Sequence, residues 1–301
     1  MNIAFCINRL GIIGLGVTIS SLIRNCSKQG SLKIWFLCAC LTPKEKNQII
    51  KLLKSEHFSG NYDFIDFDPV FHFGTLSSLH GDWTAYGRLL LSDFIYSDQV
   101  LYLDSDLVVE LDVLEVEDFN FNGHALAAVG GGRFRYTLGN KFYINKLGIS
   151  PDVEYFNSGV LLFNLKEWRR SNIKERCLLI ANKYPLELPS HDQSLLNLFC
   201  LGNFAKLPEC FNCEWLAHLD KPNVASRMIL HFVGSPKPWD PFGFILNNGY
   251  PIYREYLNSE WYAAFGGFTS SALGRAWNIR RSYLRCISSR IKVKSGSFKN
   301  T

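Results

Sequence analysis

The 301 residues are 47% hydrophobic and 20% charged, enough to close a large core and too balanced for a disordered or fibrous chain. No apolar run approaches the roughly 18 residues that cross a bilayer, which argues against a membrane-spanning protein. The formal charge of +5 is unevenly placed: eight basic residues and no acid follow position 267, so the preceding body is mildly acidic. The early uncharged stretch over residues 10–23 is broken by Gly11, Gly14 and Gly16, and no small-x-small site follows it, so an export signal is not expected.

In chain order, residues 2–7 read as a short apolar strand, followed by a glycine-rich turn and a helix over residues 16–26. Residues 32–41 form a second buried strand, and Thr42 with Pro43 marks the N-cap and first position of a helix. A third strand is expected over 63–67. Tyr86, Leu89, Leu90 and Phe94 have helical spacing within residues 84–96, and 100–103 is the next strand. Strands alternating with helices predict an α/β domain with a mostly parallel sheet flanked by helices. The glycines at 11, 14 and 16 do not have the G-x-G-x-x-G spacing and read as a tight turn. No internal repeat or low-complexity segment is present, and the one visible boundary falls near Gly266 and Gly267.

Nine cysteines are an odd number, and Cys6, Cys38, Cys40, Cys177 and Cys200 sit in apolar runs, the pattern of free buried thiols in a reducing compartment. Cys38, Cys40, Cys210 and Cys213 supply the four thiolates that a zinc site would need. Only the second pair has the usual spacing, and no histidine completes a motif, so zinc is not expected.

The sharpest signal is Asp104-Ser105-Asp106 inside an apolar run over residues 100–109. In extended chain, positions i and i+2 point to one side, so both carboxylates would converge on one cation. Two carboxylates in an apolar setting are costly unless a metal or base neutralises them, and a hard divalent ion suits oxygen ligands. Downstream, His231 ends an apolar run and precedes Gly234 and Lys237, a close-approach residue and a phosphate-pairing cation. An imidazole beside two carboxylates favours Mn²⁺ over Mg²⁺. Asn157 and Ser158 stand before an apolar strand, and Asp192 and Gln193 open an apolar-periodic helix whose dipole favours the carboxylate.

Residues 268–301 carry Arg275, Arg280, Arg281, Arg285, Arg290, Lys292, Lys294 and Lys299. On a helical wheel Leu273, Trp277, Leu284, Ile287 and Ile291 share one face, with Arg280 intruding on it. A basic amphipathic helix of this kind reads as an anchor on an anionic membrane surface. Packing on its own domain and nucleic-acid binding are the other readings; the acidic body and the lack of a nucleic-acid motif set the last aside.

In this order, Thr84 to Leu89, Leu101 to Asp106, Tyr155 to Gly159, His191-Asp192-Gln193 and His231 to Trp239 resemble glycosyltransferase family 8, which includes bacterial lipopolysaccharide galactosyl- and glucosyltransferases and, more distantly, glycogenin. The resemblance implies a GT-A type transferase domain over 1–267, followed by the basic tail at 268–301. It implies a retaining hexosyltransferase that moves glucose or galactose from UDP-glucose or UDP-galactose, with Mn²⁺ (or Mg²⁺), to a lipopolysaccharide or other surface glycan or glycolipid. Asp104, Asp106 and His231 would hold the metal. Asn8, Tyr86, Arg88, Asp104, Ser105, Asn157, Ser158, Asp192, Gly234 and Lys237 would bind the donor, and Gln193 with Asp192 would serve catalysis. Gln193 is a poor nucleophile, so front-face substitution is expected rather than double displacement. The family's uracil-reading Asp is here Asn8, and its D-Q-D is Asp192-Gln193-Ser194. The tail implies a cytoplasmic protein peripheral to the inner membrane face. Glycosylation of a protein, or an inactive nucleotide-sugar-binding scaffold, are the alternatives.

Overall fold

The computed structural model describes residues 1–78, 81–267 and 270–297, with the side chains of 270, 271 and 292–297 outside that description. Lys292, Lys294 and Lys299 of the basic tail therefore lie outside the described side chains.

The strands in chain order are β1 (Asn2–Ile7), β2 (Lys33–Ala39), β3 (Asn61–Phe67), β4 (Gln99–Leu103), β5 (Leu107–Val109), β6 (Leu126–Ala128), β7 (Gly132–Arg133), β8 (Glu154–Tyr155), β9 (Val160–Asn164), β10 (Ala205–Lys206), β11 (Cys213–Glu214) and β12 (Ile229–His231). The main sheet has the order β10-β6-β9-β4-β1-β2-β3. Its pairings are parallel except those of β9, which runs antiparallel to both β4 and β6. Ile3, Phe5, Leu101 and Leu103 pack on one face against Leu15, Ile19 and Leu22 of the helix Ile12–Asn25. Ala4, Leu37, Val100 and Tyr102 pack on the other against Leu195 and Leu196 of the helix His191–Cys200. Burial on both faces is why these strands are apolar at successive positions, with each large side chain contributing roughly 1.5–3 kcal/mol.

Several expected elements shift. The first helix begins at Ile12 rather than residue 16, because the glycines continue the helix and serve close packing. A Cβ on Gly14 would lie 2.5 Å from the Ser105 carbonyl oxygen and 2.6 Å from the Trp239 ring, so these elements touch at the backbone. Residues 84–96 form a 3₁₀ segment (Thr84–Leu90) and one short α-turn (Leu91–Phe94) rather than a single helix. A Cβ on Gly87 would lie 2.6 Å from the Phe67 ring, so this tight segment lies directly on the sheet. Thr42 caps the helix Pro43–Ser55 as expected: its hydroxyl accepts from Glu45 N at 3.3 Å, and the Glu45 carboxylate accepts from Thr42 N at 2.8 Å.

A second sheet, β11-β12-β5, leans on the helix Ile12–Asn25, where Thr18 Oγ1 accepts from Leu107 N at 3.1 Å. β12 is antiparallel to β5, with His231 opposite Leu107. Asp104, Ser105 and Asp106 are the joint where the chain leaves one sheet for the other. The expected continuous strand through the acidic pair is thus corrected: the carboxylates meet across a bend between two sheets, not by strand alternation.

The tail is two helices, Ser270–Asn278 and Arg280–Ser297, rather than one. Between them Ile279 turns into the body, and Cys286 is buried with Ala217 and Leu246 while Tyr283 packs beside them. The opposite side exposes Leu273, Trp277, Leu284, Ile287 and Ile291. Among the described residues, no helix is long and apolar enough to cross a membrane.

Candidate functional site

The joint between the sheets brings Asp104, Asp106 and His231 together, with one ligand atom from each lying within 4.8 Å of the others. Among the described residues this is the one His/Cys/Asp/Glu cluster able to hold a metal, and none of the nine cysteines is in a disulfide.

The three side chains are held differently. Asp104 Oδ1 accepts from the Tyr102 hydroxyl at 2.7 Å and from Arg88 Nη2 at 3.0 Å, while its backbone N–H donates to Gly159 O at 2.8 Å. Among the described residues its Oδ2 accepts no hydrogen bond. Asp106 Oδ2 accepts from Lys237 Nζ at 2.6 Å. Its Oδ1 is inaccessible, makes no hydrogen bond, and lies 3.3 Å from His231 Nε2. An orphaned carboxylate oxygen facing an imidazole nitrogen is the donor set that a hard to borderline divalent ion satisfies. Burial opposes the charged form of Asp106, but Lys237 and His231 outweigh it and hold the carboxyl well below its ordinary range.

His231 is fixed from behind. Its Nδ1 lies 2.9 Å from Asn212 Oδ1, and Asn212 Nδ2 donates to Asn157 Oδ1 at 3.1 Å. With the amide nitrogen so engaged, Asn212 presents its oxygen to the ring; Nδ1 carries the proton and Nε2 points at the acidic pair. Burial lowers the His231 pKa most, but Asp106 and Asp104 together raise it by more, so the net shift is upward. Gly159 leaves room for this ring, since a Cβ there would overlap the imidazole.

Arg88, 2% exposed, ties the other side of the site together. Nη1 donates to Ser158 O at 2.6 Å, Nη2 to Tyr102 and Asp104 at 3.0 Å each, and Nε to Ala85 O at 3.0 Å. Asp192 Oδ2 lies 3.2 Å from Nε without an aligned hydrogen bond. Burial opposes charge on Arg88, but Asp192, Tyr102 and Asp104 raise its pKa further. Burial also raises the pKa of Asp192, and Arg88 offsets only part of that. Gln193 Oε1 accepts from Ser158 N at 2.9 Å and Nε2 donates to the Tyr155 hydroxyl at 3.2 Å, so the amide cannot rotate freely. Gln193 and Asn157 line a cleft of about 540 Å³ with Tyr136, Leu138, Tyr155 and Asn212.

The structure therefore gathers Arg88, Asp104, Asp106, Asn157, Ser158, Asp192, Gln193, His231 and Lys237. Ser105 lies beside Gly11, and Gly234 turns the Lys237 loop at a φ of +69°. Two residues read from sequence are occupied elsewhere. Tyr86 is buried against Phe73, with its hydroxyl donating to Ser77 O at 3.1 Å. Asn8 engages both ends of its amide: Oδ1 accepts from Leu10 N and Gly11 N within its own turn, and Nδ2 donates across to Asp82 and Thr84. Sequence reasoning passed over Asn212 and Tyr102, the partners that orient His231 and Asp104. Asn212 stood between two cysteines with no motif of its own, and Tyr102 read as one more apolar strand residue.

The chain is similar to known proteins over most of its length. General stress protein A of Bacillus subtilis is 22% identical over 293 residues, 91% of this chain and 98% of that protein. Lipopolysaccharide 1,3-galactosyltransferase of Salmonella typhimurium is 26% identical over 197 residues, 60% of this chain and 56% of that protein. The solved galactosyltransferase LgtC, a complex with donor and acceptor sugar analogs, superimposes with a TM-score of 0.71 at 24% identity, over 87% of this chain and 99% of that one. That likeness makes the fold GT-A type. Because residues 2–242 match the model of "Glycosyl transferase family 8", the chain belongs to that family and is a glycosyltransferase.

Proposed function

We propose that the chain is a retaining hexosyltransferase that takes glucose or galactose from a UDP-sugar, with Mn²⁺, and passes it to a surface glycan of the lipopolysaccharide class. The observation that carries this is the cluster of Asp104, Asp106 and Asn212-oriented His231 at the joint between the sheets. Two carboxylates and one imidazole fit Mn²⁺ better than Mg²⁺. The ion, when bound, supplies positive charge that stabilises the diphosphate of departing UDP.

The remaining steps belong to this chain's side chains. Lys237 Nζ, already at the cluster, donates to diphosphate oxygens, and the Gly234 N–H adds a second donor. Arg88, with its nitrogens spent on protein partners, holds Asp104 and the Ser158 turn in place rather than binding sugar directly. Asp192 and Asn157 offer polar groups to donor hydroxyls. Gln193, clamped by Ser158 and Tyr155, stabilises the oxocarbenium-like sugar while the leaving phosphate takes the acceptor's proton. The cleft walled by Tyr136, Leu138 and Tyr155 gives the acceptor sugar ring faces to stack on.

The test is UDP release by the purified full chain across a panel of UDP-sugars with Mn²⁺, with and without glycan acceptors. Release from one UDP-hexose, lost on adding EDTA, is expected. No release from any UDP-sugar, even with acceptor present, would overturn the reading.

The tail supports a membrane-bound acceptor, with the enzyme peripheral to the inner face of the cell membrane. Exposed Arg280, Arg281 and Arg285 flank the exposed Leu284 and Ile287. The full chain should sediment with vesicles containing anionic lipid at low salt, and Ile287→Asp should weaken this while leaving thermal stability unchanged. Equal binding to neutral vesicles, or an unaffected variant, would refute the membrane role.

A further inference from the structure

The first tail helix does more than rest on the body. Arg275 grips Asp240 with two parallel bonds, Nε to Oδ1 at 3.0 Å and Nη2 to Oδ2 at 3.1 Å, and Nη2 also donates to Ser235 Oγ at 3.0 Å. The Asp240 side chain is only 6% exposed. Its Oδ2 accepts from the Lys237 backbone N–H at 2.7 Å, and Asp240 N donates back to Lys237 O at 3.1 Å. One carboxylate thus closes the turn that carries Lys237 and receives the tail's guanidinium. The loop is fastened on both sides of that turn: the Tyr283 hydroxyl donates to Pro241 O at 2.7 Å, and Asn247 Nδ2 to Pro236 O at 2.7 Å. At the other end of Lys237, Nζ reaches Asp106 Oδ2.

We infer that Arg275, on the tail, is a positioning residue for the donor site: through Asp240 it holds the turn that aims Lys237 at the diphosphate. The inference rests on the proposed role of Lys237. Its physical basis is that Asp240 without Arg275 is a nearly buried carboxylate that has lost its bidentate partner. The turn then relaxes to hydrate that charge, and the Lys237 ammonium leaves the position set by Asp106 and the Phe232 carbonyl. Transferase domain and tail are therefore coupled through one ion pair, and a tail drawn off the body would loosen UDP.

The experiment is a double-mutant cycle of Lys237→Ala and Arg275→Ala in the full chain, reading UDP affinity with Mn²⁺ by calorimetry. Arg275→Ala is expected to weaken UDP about tenfold when Lys237 is present, a charge-assisted contact's worth, and to add nothing when Lys237 is absent. Asp240→Asn, which keeps an acceptor for the Lys237 N–H but loses the charge, should match Arg275→Ala, and Arg275→Lys should restore part of the affinity. In transfer assays the change should appear as a raised donor KM with kcat little altered. Equal weakening by Arg275→Ala in both backgrounds would overturn the coupling and leave the diphosphate role of Lys237 standing. Unchanged UDP affinity in Lys237→Ala would overturn that role and the inference with it. Melting temperatures of all variants separate both results from loss of fold.

Discussion

Replacing Asp106 with asparagine is expected to abolish Mn²⁺-dependent UDP binding, lowering affinity by about two orders of magnitude or more. The substitution is nearly isosteric but removes the charge that sits between Lys237 Nζ at 2.6 Å and His231 Nε2 at 3.3 Å. An amide offers one neutral oxygen and sets an N–H donor against either a cationic ammonium or the metal. Asp104→Asn should be milder in fold and similar in metal loss, because Tyr102 and Arg88 still find an oxygen acceptor. Calorimetric titration of UDP with and without Mn²⁺ measures the effect, alongside a thermal melt. A variant that melts normally and keeps its Mn²⁺-dependent affinity would refute the metal assignment.

The second large effect belongs to Gln193. Gln193→Ala is expected to lower turnover by about 10²–10³-fold, the usual loss when one preorganised polar group facing a developing charge is removed. UDP affinity should stay nearly intact, because among the described residues the Gln193 amide hydrogen-bonds to Ser158 and Tyr155 and not to Asp104, Asp106, His231 or Lys237. The variant also strands the Ser158 N–H, which costs about 1 kcal/mol of stability, so the melt belongs beside the kinetics. Single-turnover transfer and UDP calorimetry on one preparation decide the matter. Unchanged turnover would eliminate Gln193 from the reaction, and a parallel collapse of UDP affinity would make it a donor-binding residue instead.

Much of the site was legible in the chain because its chemistry is carried by residue types that are costly to bury. Asp104 and Asp106 interrupt an apolar run, His231 ends another, and Gln193 opens an apolar helix; each stands out locally. Asn212, Tyr102 and Arg275 did not stand out, because their importance lies in what they touch. Asn212 matters only once β11 runs beside β12 and sets its amide 2.9 Å from His231. Arg275 looked like one more basic residue of a surface helix until that helix folded back onto Asp240. Tyr86 and Asn8, whose motif positions pointed to the donor, engage their polar atoms with Ser77 and with Asp82 and Thr84, contacts that local pattern does not reveal.

The sequence by itself determined the layered α/β plan, since apolar strands between amphipathic helices can hide both faces only in a sheet covered on each side. It also marked the two carboxylates and the imidazole that come together in the fold. Tertiary structure alone decided how they meet. The chain steps from one sheet to another at Asp104–Asp106, and antiparallel register sets His231 opposite Leu107. It also split the tail at Ile279, turning Tyr283 and Cys286 inward and Leu284 and Ile287 outward. Sheet switching, register and docking follow from contacts between residues far apart in the chain, and local pattern holds no record of such contacts.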